Sequence, residues 1–574
     1  MQMAKRRRRD RRIVAALSLL VLGAVALVET LGGPGSSQRA WAEAGGPQRL
    51  RRAGQATASG DARPLSAAAD ESQAVNNSLV ATADQRVVHL LNRITFGARP
   101  GDVEAVERQG LRNYLSAQLN PASIAEAPEV VQKLQNTAAL NQPSAVLINR
   151  YREVAKERKL RKQQEAGANG SATSGASVGP GGDLPQNALK AGGKAGAADG
   201  AKKQVGQQLI SARLMRAVDS NRQLQEVMTD FWYNHFNISI DKGLDRALVG
   251  AFEEQAIRPY ALGRFRDLLG ATCYHPAMLF YLDNWQNVKA GATSRQGKVS
   301  GINENYAREL MELHTLGVDG GYTQKDVQEM ARVLTGLGLP NPRRQTGDGK
   351  WGSFNANYHD FGDKTVLGHR IAGVGAAEID QALDLLARQP ATAHHIAYQL
   401  AQYFVADDPP KALVDKLAAK FSESDGNIKT VMSTLFDSPE FWDGRYQNNK
   451  YKSPFRYAVS VFRATSTEPS DYQAVAQFLR LQGQPVYGCL TPDGYKNTQS
   501  AWLNPDALMN RINFATTVGS GRARFLSAPP VAFAQARDTV CGGKLSGHTE
   551  AVIAKAPPAL KLSLLIGSPE FMHY

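Results

Sequence analysis

The sequence predicts an all-α protein, a multi-helix, bundle-like globule with one large or two packed helical subdomains. Three observations support this fold class. Apolar residues recur at the three-and-four spacing of a helix through most of the chain. Strand-like alternation is scarce, and residues typical of helix caps precede many of the periodic segments. Long Gly/Pro-rich stretches separate the helices, and we expect them to form ordered loops.

The first 44 residues predict an export signal. Basic residues between Lys5 and Arg12 precede an apolar run from Ile13 to Val28, and an Ala-x-Ala site ends at Ala44. As a helix this run spans about 24 Å, short of the roughly 30 Å of a bilayer core. The segment is therefore a cleaved signal peptide or an uncleaved anchor. Either way we expect an exported protein, periplasmic, cell-surface or secreted. It would contact the inner membrane only if the N-terminal segment stays uncleaved as an anchor.

The distribution of charge argues against nucleic acid as a partner. The formal net charge is +14, of which residues 1–64 contribute +8 and residues 151–208 contribute +5. A nucleic-acid footprint is expected as a basic stripe on a folded face. Here the excess lies in the N-terminal region and in a low-complexity segment, so the folded part is nearly neutral.

Composition divides the remainder of the chain. Residues 45–80 are rich in Ala, Gly, Gln and Ser and are predicted to be a disordered lead-in. A helical domain is predicted over 81–574, interrupted by a flexible low-complexity insertion at 160–206. In its first helix, His89 is expected opposite the buried stripe, which comprises Val87, Leu90, Leu91 and Ile94.

The stretch Asn303–Leu334 is the most informative in the chain and predicts two helices joined by a glycine turn at Gly317. Thr323 and Asp326 form a capping-box pattern at the start of the second helix. His314 falls at the centre of the apolar face of the first helix, which comprises Tyr306, Ala307, Leu310, Met311 and Leu313. Glu304, Arg308 and Glu312, spaced four residues apart, predict a charge ladder on the wet side.

Two further segments place polar residues near the predicted core. His235 shares an apolar helix face with Phe231, so a second histidine points inward. His275 occupies the cap position of a helix beginning at Pro276, and Asp283–Asn284 lie at its end. The non-periodic loop 337–375 contains His359–Asp360. The plainer role of this pair is a hydrogen-bonded anchor of the loop. We also expect the loop to wall a site, because ordered loops commonly carry function.

Three cysteines fit an oxidising compartment with at most one disulfide. Cys489 and Cys541 both lie in loop-like sequence and are the favoured pair. Cys273 lies among apolar residues and is expected to be buried.

Six segments resemble, in order, a bacterial family catalogued as domain of unknown function 1800. They are HLLNRITFG (89–97), FWYNHF (231–236), HPAMLFYLDN (275–284), NENYARELMELHTLGVDGGYTQKDV (303–327), HDFGDKTVLG (359–368) and GQPVY…PDGY (483–495). The resemblance extends from about residue 86 to the C-terminus, apart from the insertion. It implies an exported or envelope-associated, mostly helical protein with no established activity, so it assigns no catalytic residue.

Two functions remain open. The first is binding or assembly at the cell envelope, with a surface polymer or a partner protein as ligand. The second is an extracytoplasmic hydrolase with a His/Asp/Glu cluster, metal-dependent or not. The candidate catalytic residues are His235, His314, His359, Asp360 and Glu304. The candidate substrate-binding residues are His275, Asp283, Asn284, Asn303 and Arg308.

No motif indicates a cofactor. The Glu-x-x-His spacing of di-metal bundles and the His-Glu-x-x-His zinc signature are both missing from the sequence. Phosphate loops, dinucleotide fingerprints and Gly-x-Ser-x-Gly elbows are missing as well. Buried histidines on facing helices still leave metal binding open, and core histidines satisfied by a carbonyl remain the plainer interpretation.

Overall fold

The computed structural model describes residues 83–137, 140, 142–170, 204–293, 299–340, 351–540 and 544–574. The predicted signal segment 1–44, the whole lead-in 45–80 and the centre of the predicted insertion lie outside these ranges. So does Cys541, the favoured partner of Cys489. Cys273 and Cys489, the two cysteines in the described ranges, are both buried and are not bonded to each other.

The described residues form one compact unit, Ala83–Tyr574, and the prediction of an all-α fold is confirmed. The helices of its first half are Ala83–Ile94, Asp102–Gln109, Leu111–Gln118, Pro128–Gln135, Ser144–Gly170, 204–219, Gln223–His235, Asp245–Phe252, Phe265–Tyr274, Pro276–Tyr281, Asn305–Glu312 and Gln324–Val333. Those of its second half are Ala377–Ala387, Pro390–Phe404, Lys411–Glu423, Ile428–Asp437, Pro439–Trp442, Pro454–Ala464, Tyr472–Leu481, Gln499–Trp502, Pro505–Gly519, Phe533–Thr539, Gly547–Lys555, Pro558–Ile566 and Pro569–Met572. Across the described ranges, no helix combines the length and apolarity that a membrane span requires.

The strands in these ranges form three short antiparallel pairs. Ala292–Thr293 pairs with Val299–Ser300, Leu337–Gly338 with Ser353–Phe354, and Lys364–Val366 with His369–Ile371. All three lie in connections between helices. They therefore order the loops without forming a core sheet.

Local sequence signals correctly predict several helix starts. The Thr323 hydroxyl accepts from the Asp326 backbone N–H, and the Asp326 carboxylate accepts from the Thr323 backbone N–H, which completes the capping box. His275 caps the helix that begins at Pro276, because its side chain accepts a hydrogen bond from the Ala277 backbone N–H. A Ser-Pro start recurs in Pro439–Trp442 and Pro569–Met572, each following a longer helix.

The helix Ser144–Gly170 covers the first residues of the segment predicted as an insertion, 160–206. Two sequence expectations are corrected. The helix Asn305–Glu312 ends before His314, which lies in a wider turn where the His314 N–H donates to the Glu309 carbonyl. His89, expected on an open face, is buried, and its Nε2 lies 2.8 Å from the Phe441 carbonyl oxygen. A segment some 350 residues later covers that face.

Candidate functional site

The last turn of the helix Gln223–His235 carries the FWYNHF segment and positions His235. Trp232 anchors this turn through its indole N–H, which donates to the Ala261 carbonyl oxygen at 3.0 Å. The His235 ring meets Trp232 and Phe236 edge-on, with centroids 5.4 and 4.5 Å apart. Aromatic packing therefore fixes the ring where the helix ends, with 7% of the residue exposed.

Three histidines form a cluster at this point. The His235 ring centroid lies 6.1 Å from that of His314 and 6.2 Å from that of His395. Burial and the neighbouring His395 lower the pKa of His235 to about 3, and burial also lowers the pKa of His314 well below its ordinary value. All three rings are thus neutral at physiological pH, since the pKa of His395 is lowered as well, first by burial.

Both ring nitrogens of His235 are occupied. Nε2 lies 3.2 Å from the His314 carbonyl oxygen, and Nδ1 lies 2.7 Å from the side-chain amide of Gln399. A neutral imidazole carries one N–H, and a carbonyl can only accept. The structure places the Gln399 Oε1 atom beside Nδ1 and the Gln399 Nε2 atom 3.1 Å from His395 Nε2. When Nε2 donates to the His314 carbonyl, a hydrogen bond at Nδ1 requires the Gln399 amide to be turned end for end.

His314 differs from its neighbour. Its ring is 1% exposed and packs near Phe236 and Tyr306, and its Nε2 has no hydrogen-bond partner in the described part of the chain. Within the same ranges, no group of three or more His, Cys, Asp or Glu side chains is arranged to hold a metal ion. The three histidines therefore lie where three segments of the backbone meet.

A pocket of about 300 Å³ opens beside His235. Its walls come from the helices Gln223–His235 and Pro390–Phe404, the start of Pro454–Ala464, and the loop 484–497. Most of its side chains are polar or aromatic. They include Arg213, Asp230, Asn234, His235, His395, Gln399, Tyr403, Arg456, Gln484, Tyr487, Tyr495, Lys496 and Tyr574.

Buried ion pairs hold one side of this pocket. Arg213 pairs with Asp230 at 2.7 Å and with the buried Glu253 at 3.0 Å. Glu253 begins a π-helical turn, Glu253–Ile257, and also pairs with Arg258 at 2.8 Å. Burial alone would raise the pKa of Glu253, but the arginines hold it below its ordinary value. Such π turns are frequent at functional sites, and this one aims a carboxylate at the arginine of the pocket wall.

The second arginine of the pocket is held differently. Arg456 is 3% exposed and donates through Nη1 to the backbone carbonyls of Asn92 and Thr95, at 2.9 and 2.7 Å. Its guanidinium lies over the Tyr574 ring, 4.1 Å from the centroid. Among the described residues it forms no ion pair with a carboxylate, and Nη2 has no hydrogen-bond partner.

The loop 484–497 is fastened to the helix that carries His235. The Asn234 side chain donates to the Tyr495 carbonyl at 2.9 Å and accepts from the Tyr495 N–H at 2.7 Å. Asn237 donates to the carbonyl groups of Cys489 and Thr491. Two asparagines flanking His235 therefore shape the wall opposite it.

None of the described residues of loop 337–375 belongs to the lining of this pocket. His359 is fully buried, with Nδ1 2.8 Å from the Thr335 carbonyl and Nε2 3.0 Å from Glu378 Oε1. Lys364 pairs with the same Glu378. Asp360 forms a two-point ion pair with Arg332. These contacts anchor the loop, so His359 and Asp360 do not join His235.

The remaining candidates also lie outside the pocket lining. Glu304 pairs with Arg308 at 3.1 Å, while Glu312, the third member of the expected ladder, accepts instead from the Tyr322 hydroxyl. Asn303 accepts from the Asn305 N–H. The structure does not bring Glu304, Asn303 or Arg308 to His235, because caps and ion pairs within their own segments hold these side chains.

Three candidates belong to the helix Pro276–Tyr281 and its exit. His275 is buried at the helix cap, with Nε2 3.2 Å from the Ser144 hydroxyl. Asp283 adopts a left-handed backbone and pairs with Lys242 at 3.1 Å. Asn284 donates to the Leu334 and Leu337 carbonyls. Each has a structural role in positioning neighbouring elements.

Sequence reasoning missed Arg213, Asp230, His395 and Arg456 as pocket residues. A signal was available for Arg456, since Ser453-Pro454 is a typical helix start and places it in the first turn. The other three lie on amphipathic helices, where nothing local distinguishes a pocket-facing polar residue from a solvated one.

Comparison with known proteins identifies relatives only at the level of the family. A family model described as "Protein of unknown function (DUF1800)" matches residues 89–573, most of the chain. No curated protein and no solved structure matches it.

Proposed function

The chain belongs to the DUF1800 family, and we propose that it is an exported, envelope-associated protein that binds a segment of a surface polymer in the pocket beside His235. The N-terminal export pattern supports the location outside the cytoplasm. The observation that carries the binding role is the pocket lining, in which tyrosines, amides and arginines converge on one concavity. Polar groups of this kind orient a ligand within a pocket of this size.

The state of the ionisable groups favours binding over catalysis. Both nitrogens of His235 contact other protein groups, and the Asp230 carboxylate is paired with Arg213. A general base needs a free nitrogen or oxygen within reach of the proton it removes. Hydrolysis, the competing function, would require Gln399 or Arg213 to release its partner on ligand binding.

The fastening of the pocket supports a preformed site. The two hydrogen bonds between Asn234 and Tyr495 fix one wall, and the buried Arg213–Glu253 pair fixes the other. A site that is already ordered loses less conformational entropy when ligand binds. We therefore expect recognition without large rearrangement.

The test compares two tyrosine variants in a polymer co-sedimentation assay. Tyr495 lines the pocket, whereas Tyr398 is exposed on the helix Pro390–Phe404 and is not among the lining residues. The full-length protein, Tyr495→Ala and Tyr398→Ala are each incubated with insoluble polymer from the envelope of the native host. We expect at least a tenfold loss of bound protein for Tyr495→Ala and none for Tyr398→Ala.

Fractionation and product analysis complete the test. The protein is expected with the envelope or the medium, and its recovery in the cytoplasm would reject the proposed location. Equal sedimentation of both variants, or none by the wild type, would reject binding through this pocket. Release of soluble fragments that depends on His235 would favour the hydrolase instead.

A further inference from the structure

We propose that the pocket recognises an oxyanion of its ligand, a carboxylate or phosphate group, through Arg456 at the N-terminus of the helix Pro454–Ala464. This inference rests on the proposed binding function and names the chemical class of the ligand. Ser453, Phe455 and Arg456, which begin this helix, all line the pocket.

The first argument is the incomplete coordination of Arg456. A guanidinium offers five N–H donors in a planar fork. Nη1 uses its donors on the Asn92 and Thr95 carbonyls, whereas Nη2 is buried without a partner in the described part of the chain. An unsatisfied buried donor costs free energy, and a ligand oxygen at this position would recover it.

The second argument is the balance of charge in the pocket. Arg213 is paired with Asp230, and Lys496 is paired with Asp493 at 2.7 Å. His235 and His395 are neutral because burial lowers the pKa of each. Arg456 forms no ion pair with a carboxylate within the described ranges, and Tyr574, Tyr403 and the nearby Asp230 favour its charged form despite burial. The three cationic side chains of the lining, Arg213, Arg456 and Lys496, therefore outnumber its two carboxylates, Asp230 and Asp493.

The third argument is the orientation of the helix. Its N-terminus carries the positive end of the helix dipole, and the Ser453 side chain caps it by accepting from the Arg456 N–H. The dipole and the guanidinium act at the same place and with the same sign. Together they select for an anion over a neutral group of equal size.

Carboxylate and phosphate share the geometry that suits this site. Each presents oxygens that an arginine fork can contact in pairs. A carboxylate would belong to an acidic sugar, and a phosphate to a phosphorylated polymer. The experiment uses one probe for each source, tri-galacturonate and inorganic phosphate, with the methyl ester of tri-galacturonate as the neutral match.

Calorimetric titration of the full chain measures affinity for the three probes. We expect one anion to bind at least tenfold more tightly than the neutral ester, and the difference to shrink at high salt. In Arg456→Met this preference should be lost. In Arg456→Lys it should be intermediate, since charge remains but the fork is gone.

Arg463→Met is the matched control. Arg463 lies on the same helix, is equally buried and donates to the Gly97 and Val218 carbonyls, away from the pocket lining. It should keep the wild-type preference. Circular dichroism checks that each variant folds. If both Arg456 variants fail to fold, the affinities of the wild-type protein decide. The affinity for tri-galacturonate is compared with that for its methyl ester, and the affinity for phosphate with each of these.

The outcomes separate this inference from the function on which it rests. Preference for tri-galacturonate supports an acidic sugar, and tighter binding of phosphate supports a phosphorylated polymer. Neither anion binding better than the ester, or an unchanged preference in Arg456→Met, would overturn the inference. Tyr495-dependent binding of envelope polymer would survive that result and still support the proposed function.

Discussion

The Nε2 atom of His235 lies 3.2 Å from the backbone carbonyl oxygen of His314. This contact ties the end of the helix Gln223–His235 to the turn that follows Asn305–Glu312, two segments that begin more than 80 residues apart. Gln399 holds the other nitrogen of the same ring from the helix Pro390–Phe404. One imidazole thus connects three segments beside the pocket. Within the described ranges, both of its nitrogens contact other groups, whereas Nε2 of His314 has no partner.

The two neighbouring histidines should respond differently to removal. His235→Leu leaves the His314 carbonyl and the Gln399 amide without their partner, and we expect it to lower the free energy of unfolding by about 2–3 kcal/mol. His314→Leu removes a nitrogen that has no partner in the described structure, and it should cost less than about 1 kcal/mol. Urea denaturation measures both. A larger loss in His314→Leu would indicate an unseen partner for its Nε2.

Loss of the Glu253 carboxylate should lower the free energy of unfolding more than loss of any other acidic group near the pocket. Glu253→Gln weakens the buried contacts to Arg213 and Arg258, and we expect a loss of about 3 kcal/mol. Glu304→Gln, which breaks only the half-exposed pair with Arg308, should change stability by less than about 0.5 kcal/mol. Chemical denaturation of the two variants side by side decides. Equal losses would contradict the role given to the buried network.

The position of loop 484–497 against the helix that carries His235 should depend on Gly494. Its backbone is left-handed, with φ of 68°, and an added Cβ would collide with the Asn234 carbonyl. Gly494→Ala should therefore displace this wall, weakening ligand binding and lowering the melting temperature. Gly483→Ala is the control, because Gly483 also has a positive φ of 79° but has open space around it. Gly483→Ala should therefore lower the free energy of unfolding only by the backbone strain of a left-handed alanine, about 1–2 kcal/mol. Comparable effects on binding would show that the wall is not held at Asn234.

Acid sensitivity should arise in part from His275. Burial lowers its pKa from 6.5 to about 3, so the unfolded chain binds one more proton than the folded chain between these values. The contribution of neutral His275 to the free energy of unfolding is therefore complete above about pH 6.5. It is lost as pH drops towards 3, by at most about 1.4 kcal/mol per pH unit.

The variant His275→Asn isolates this effect. Asparagine can still accept from the Ala277 N–H as a helix cap but does not titrate. Its free energy of unfolding should therefore decline less steeply than that of the wild type between pH 6.5 and 4. Parallel declines in the two proteins would assign the acid sensitivity to other groups.

Much of the local structure could be predicted from neighbouring residues. The capping box at Thr323 and Asp326, the cap at His275 and the burial of Tyr306 and Leu310 all depend on residues within four positions of one another. Such spacing can be seen directly in a sequence. The periodic pattern does not predict the burial of His89, because the segment that packs over this face of the helix lies around Phe441, far along the chain.

The sequence by itself determined the all-α class, several of the helix starts and the inward position of His235 and His314. Only the tertiary structure decided that these two histidines meet, that His359 stays apart with Glu378, and that Arg456 reaches a pocket walled by Tyr495. The reason is physical. Helix periodicity arises from bonds four residues apart, whereas the Arg456–Thr95 contact joins residues 361 positions apart and depends on how all the intervening helices pack.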